Sequence, residues 1–184
     1  MTFKPILTRF FAAVVAAGAI GAAIALPLAA SAVGDAGDAA LVERGRYLVR
    51  IAGCNDCHTP NYPESGGNVP EAQWLTGTSV GWQGPWGTTY PANLRTFMQN
   101  IDADAWVKLA HTAKFRPPMP WFMLRDMSET DLRAIHALAR HLGPAGAPAP
   151  EYVPPGVPAK TPVIRFPEAV SGKAVGGERK IKGE

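Results

Sequence analysis

Two cysteines, the only ones in the chain, stand three positions apart and are followed at once by a histidine: Cys54-Asn-Asp-Cys57-His58. Cysteines so spaced on one helical turn project to the same side, where both thiols can add to the two vinyl groups of one porphyrin. The adjoining His58 is then held under the iron as proximal ligand, and the run as a whole is the attachment signature of covalent haem c. Two other chemistries use paired cysteines. A redox dithiol does not need the adjoining histidine, and a structural zinc site needs further cysteines, which this chain lacks.

An iron so tethered needs a group on its other face. Met119 is the candidate distal ligand, lying in Lys114-Phe-Arg-Pro-Pro-Met-Pro-Trp121. Pro117, Pro118 and Pro120 stiffen that loop, so little chain entropy is lost in presenting the sulfur. A thioether opposite histidine raises the reduction potential. Met123 is the nearest competitor, and His111 would give a bis-histidine iron of lower potential. Met98 and Met127 read as packing residues, His136 and His141 as surface or interface groups. His58 needs an acceptor for its second ring nitrogen, and the Pro60 carbonyl is closest in sequence. For the porphyrin carboxylates, donors are expected from Trp82, Trp86, Asn93 and Arg95.

The elements that must position these groups follow from periodicity. Residues 39–53 have helical spacing: Leu41, Gly45, Leu48 and Ala52 form one stripe with Tyr47 and Ile51 on its flank, and Glu43, Arg44, Arg46 and Arg50 face away. Gly45 costs a helix interior about 1 kcal/mol against alanine, which suggests that another backbone crosses closely over it. Residues 59–95 are rich in Gly, Pro, Thr and Trp and have no 3.6 period. They read as a long loop folded over the haem, with at most a short strand or hairpin near 87–90. Asp102 is a reasonable N-cap for a helix to about His111, with Trp106, Leu109 and Ala110 inward. Ser128-Glu-Thr-Asp131 is a capping-box pattern for a last helix ending at Gly143-Pro144, with Leu132, Ile135, Leu138, Ala139 and Leu142 as its buried stripe.

The flanks differ in texture. Lys4 and Arg9 precede an apolar run over 10–26, Pro27 breaks it, and Ala30-Ser31-Ala32 offers small residues to a signal peptidase. Cleavage is expected after Ala32, which delivers the chain to the periplasm. If the leader stays, residues 10–30 are just long enough to span and would anchor it in the inner membrane; membrane association is expected only then. Beyond Gly143, Pro, Ala and Val dominate 144–170, and Gly, Lys and Glu dominate 171–184. Tyr152, Val153, Val163, Ile164 and Phe166 give this arm apolar groups to lay on its own domain or on a partner subunit, and its end reads as disordered. The organisation is therefore a signal peptide over 1–32, a domain over 33–143 and a Pro-rich arm over 144–184.

Lys4 and Arg9 are the only charges in the leader, so its removal lowers the formal charge from +3 to +1. A nearly neutral protein has no global field to draw nucleic acid, and that class of partner is excluded.

These features resemble a class I c-type cytochrome domain with one haem. The likeness is carried by Glu43-Arg-Gly45-Arg-Tyr47-Leu48, by Cys54, Cys57 and His58, by Pro118-Met119-Pro120 and by the helix over 128–142, and covers about residues 38–143. Gly84-Pro-Trp-Gly-Thr-Thr-Tyr-Pro-Ala-Asn93-Leu is similar to the corresponding loop in cytochrome subunits of periplasmic alcohol and aldehyde dehydrogenases. The resemblance implies an all-α cytochrome c fold, three to five helices around one covalent haem, with its edge exposed near the attachment turn. One departure is Leu138, where the family usually has an aromatic at the crossing of the first and last helices.

The function implied is electron transfer through a His58/Met119 iron, as a carrier or as an electron-transfer subunit of a dehydrogenase complex, and not an enzyme in itself. Its redox partners would be a dehydrogenase donor and a cytochrome or oxidase acceptor. A haem sensor or small-ligand binder with a displaceable sixth ligand is the alternative. A haem enzyme such as a peroxidase is disfavoured, since no acid/base pair is obviously placed near the distal loop.

Overall fold

The computed structural model describes residues 30–166, with side chains from residue 37 onward. Most of the expected leader (1–29) and the end of the arm (167–184) lie outside these limits.

The longest element, α1 (Ala30–Ile51), is a 22-residue helix that begins nine residues earlier than its apolar spacing predicts. Its inward side is Gly45, Leu48 and Val49, while Tyr47 and Ile51 are exposed, 53% and 61%. It packs on α6 (Glu129–Leu142), which buries Leu132, Ala134, Ile135, Leu138 and Ala139. Gly45 sits where the two helices cross. A β-carbon there would overlap the Ala134 carbonyl and come within 2.9 Å of Leu138 Cβ. The glycine thus trades helix propensity for the closest approach of two backbones, as its retention predicts. Leu138, fully buried, fills the crossing without an aromatic ring.

Both later helices start where their caps predict. Asp102 accepts from Ala105 N at 2.8 Å to open α4 (Ala103–Thr112), and Ser128 accepts from Asp131 N at 3.2 Å to open α6. Each satisfies an amide that the helix itself cannot. Between them lies α5 (Trp121–Asp126), which follows the proline loop. Trp106 of α4 is buried and donates to Leu132 O at 2.9 Å, tying α4 to α6.

To these helices, which carry the core, the chain adds a small sheet that the all-α expectation does not contain. β1 (Gly81–Gly84) and β2 (Gly87–Thr89) form a hairpin. β3 (Val163–Arg165), from the arm, pairs parallel with β1, giving the order β2-β1-β3. The arm therefore wraps its own domain. Val153 exchanges both backbone bonds with Thr88 (2.7 and 3.0 Å), and Phe166 packs on Trp82 and Trp86 at 5.7 and 5.2 Å between ring centroids. Two further short helices, α2 (Cys54–His58) and α3 (Leu94–Phe97), complete six α-helices among the described residues. None of these is long and apolar enough to cross a membrane.

One ion pair fastens the middle loop to α1. Arg46 grips Glu71 with two nitrogens (2.5 and 2.8 Å) and also reaches Glu43. The guanidinium holds the Glu71 carboxyl below its ordinary value of 4.5. A depressed folded pKa contributes stability that is present above that value and lost as the pH falls through the folded one. Because both side chains keep solvent contact, the contribution is about 0.5 kcal/mol. Glu71→Gln should flatten the acid limb of a urea midpoint–pH profile by that amount; an unchanged limb would assign it to another carboxylate.

Candidate functional site

Gly53, at φ +71, ends α1 in the left-handed region and turns the chain directly into α2. This one-turn helix holds Cys54, Cys57 and His58, as the spacing predicts. Its polar residues are unusually enclosed. Asn55 and Thr59 are buried, and the Thr59 hydroxyl donates to Asn55 Oδ1 at 2.8 Å while accepting from Leu75 N at 2.8 Å. Asn55 Nδ2 is buried without a partner.

His58 is buried, and its Nδ1–H donates to the Ala92 carbonyl at 2.7 Å. The expected acceptor was Pro60, two residues away; the actual one lies 34 residues on. The physical reason is a stack of backbones. Gly77 N donates to His58 O at 2.8 Å, and Leu75 O accepts from Leu94 N and Arg95 N at 2.9 and 3.2 Å. Gly77, at φ +74, leaves no room for a β-carbon, which would lie 2.7 Å from Asn93 N. Segment 75–77 is thus pressed between α2 and segment 92–95, which brings Ala92 O to the imidazole.

That bond decides what the ring can do. With the proton held on Nδ1 by a carbonyl, Nε2 carries the free lone pair, the form in which histidine binds a metal. Burial pushes the His58 pKa down, opposed by the Ala92 bond, and this favours the neutral, ligating ring.

The cysteines differ from a redox dithiol. Burial pushes the Cys54 thiol up to about 11 and raises Cys57 as well, whereas dithiol oxidoreductases depress theirs. Both thiols are free. Among the described residues no three His, Cys, Asp or Glu groups converge as a metal cage.

Met119 is half-buried and, like Cys54, packs at the margin of the hydrophobic core. Its amide donates to Arg116 O at 3.2 Å and its carbonyl accepts from Trp121 N at 2.9 Å, so it sits in a doubly closed turn before α5. Of the competitors, Met123 is 42% exposed, and His111 holds Nε2–H on Met127 O at 3.2 Å, which leaves Nδ1 as its free ring nitrogen.

The four expected carboxylate donors divide. Trp86 Nε1 is buried with no partner, an N–H still available to an acceptor. Trp82 is half-buried beside it on the hairpin. Asn93 and Arg95 have other work. Asn93 caps α3 through Thr96 N (3.1 Å) and donates to Ala145 O and Ala147 O of the arm (2.7 and 3.1 Å). Arg95, 4% exposed, donates to four carbonyls: Ala72, Trp74, Leu142 and Gly143. Their N–H groups are taken by backbone because this segment is where loop, arm and α6 meet. A buried arginine with no acid beside it leaves no signal in sequence.

One cleft of about 770 Å³ has Asp56 of α2 in its wall, with Tyr47, Ile51 and Tyr62, and another of about 980 Å³ lies beside Gly84, Pro154 and Val157. Neither has Cys54, Cys57, His58 or Met119 in its wall.

No protein-family model, no curated protein and no solved structure matches this chain.

Proposed function

We propose that this chain binds one haem c covalently and transfers single electrons in the periplasm. The observation that supports it best is the buried His58 with Nδ1–H fixed on Ala92 O, adjoining two cysteines on one helical turn. Cys54 and Cys57 would hold the porphyrin through thioethers, and His58 and Met119 would be the axial ligands. Bound there, the haem supplies a ferric/ferrous couple.

The chain's own residues do the rest. The Ala92 carbonyl fixes the orientation of the imidazole and raises its basicity. The Thr59–Asn55 and Gly77–His58 bonds hold α2 against the middle loop. Prolines 117, 118 and 120 restrict the loop that carries the thioether. Trp86 Nε1 keeps a donor for a porphyrin carboxylate. With both axial positions filled by protein, no site is left open for a substrate, so the chain is a carrier or a subunit and not the catalyst. A dehydrogenase would supply electrons and a cytochrome or oxidase would take them, through the small interfaces usual for redox encounters.

The test is a visible spectrum of the exported protein, with carbon monoxide added to the reduced form. The wild type should show a low-spin spectrum and resist carbon monoxide at neutral pH. Met119→Ala should bind it fully and lower the reduction potential, since a thioether opposite histidine raises it. Rapid carbon monoxide binding by the wild type would sink the carrier reading. A colourless product with both thiols open to alkylation would sink the haem itself.

A further inference from the structure

We propose that Tyr152 of the arm is a positioning residue for Met119, tethering the loop of residues 114–120 through Arg116 and so keeping the sixth coordination position closed. This rests on the haem reading above.

The geometry forms a short chain of contacts. The Arg116 guanidinium lies 3.9 Å from the centroid of the Tyr152 ring, well inside the range of a cation–π contact. Arg116 makes no ion pair among the described residues, so the aromatic face is its partner there. Its carbonyl accepts from Met119 N, and whatever holds Arg116 therefore holds the turn that presents the sulfur.

Tyr152 is itself anchored. Its hydroxyl donates to Trp86 O at 2.8 Å. The next residue, Val153, exchanges two backbone bonds with Thr88, while upstream Ala145 and Ala147 are bound by Asn93. A half-buried ring fixed at both flanks is a rigid platform for the exposed Arg116 side chain. The loop's other aromatic contacts, Lys114 and Arg125 on Trp121 at 5.6 and 5.5 Å, lie within the loop and α5 and do not tie either to the arm. Arm, hairpin and methionine loop are thereby one mechanical unit. The arm takes part in setting how readily the thioether leaves.

The experiment uses full-length protein carrying Tyr152→Ala, Tyr152→Phe or Arg116→Gln. Three quantities are read: haem content by alkaline pyridine spectrum, carbon monoxide association with the ferrous form, and amide exchange at Met119 and Trp121. Losing the ring contact and the hydroxyl bond in Tyr152→Ala should speed both exchange and carbon monoxide association by about tenfold. Arg116→Gln should give about threefold, and Tyr152→Phe should stay nearer wild type because the ring remains. Normal haem with unchanged exchange and association in both Tyr152→Ala and Arg116→Gln overturns the inference. If Tyr152→Ala does not fold, Arg116→Gln, an exposed substitution, decides alone. A wild type without covalent haem overturns the underlying reading instead, and is recognised from the pyridine spectrum before any variant is made.

Discussion

Gly45→Ala should destabilise the protein by about 2 kcal/mol, although alanine is the better helix former. The propensity gain is about 1 kcal/mol. Against it stands the Ala134 carbonyl, whose carbon lies 2.8 Å from the new methyl. That neighbour is helix backbone, so relief requires α1 and α6 to part along their whole contact, and overpacking of this kind costs about 1–3 kcal/mol or more. The damage reaches the site, because Gly53 couples the end of α1 directly to α2. Gly37, on the same helix with nothing within 4 Å of its would-be β-carbon, is the control. Gly37→Ala should be neutral or stabilise by up to about 1 kcal/mol. Urea midpoints of the two variants should move in opposite directions; a Gly45→Ala protein as stable as wild type would refute the close crossing.

Arg95→Leu should cost about 3–5 kcal/mol, the range for breaking a buried charged network. The guanidinium bonds carbonyls from two places: Ala72 and Trp74 in the middle loop, and Leu142 and Gly143 at the end of α6. The α6 terminus carries negative partial charge from its unpaired carbonyls, so a cation there is doubly suited. Leucine would fill the volume and leave those acceptors buried and unmet. Arg95→Lys keeps the charge, but one ammonium cannot span all four carbonyls, and it should fall between leucine and wild type. The check is equilibrium unfolding at neutral pH. A leucine variant within 1 kcal/mol of wild type would mean that water replaces the guanidinium, and the strut would lose its meaning.

What was legible in the sequence was local. Asp102, Ser128 and Gly143 mark helix ends because capping needs only three or four neighbouring residues. Gly45 betrayed the crossing because a glycine inside a helix wants a reason. That Cys54, Cys57 and His58 share one helical turn was readable because it follows from spacing alone. What escaped was set by distance along the chain. Ala92 reaches His58 only after two other segments have stacked. A hairpin near 87–90 was legible, but the third strand, Val163–Arg165, escaped because it is three residues long and lies between prolines. Arg95 and Asn93 looked like free donors because nothing near them in sequence announces the carbonyls they meet.

The parallel pairing of β1 with β3 imposes a timetable on the molecule. Its partners are separated by roughly eighty residues, and contacts that remote form slowly. During synthesis the motif helix and everything needed to build its surroundings emerge long before Val163 does. Until then Trp82 and Trp86 lack the cover of Phe166. The covering of these two rings is thereby fixed in time by where one short segment sits in the chain.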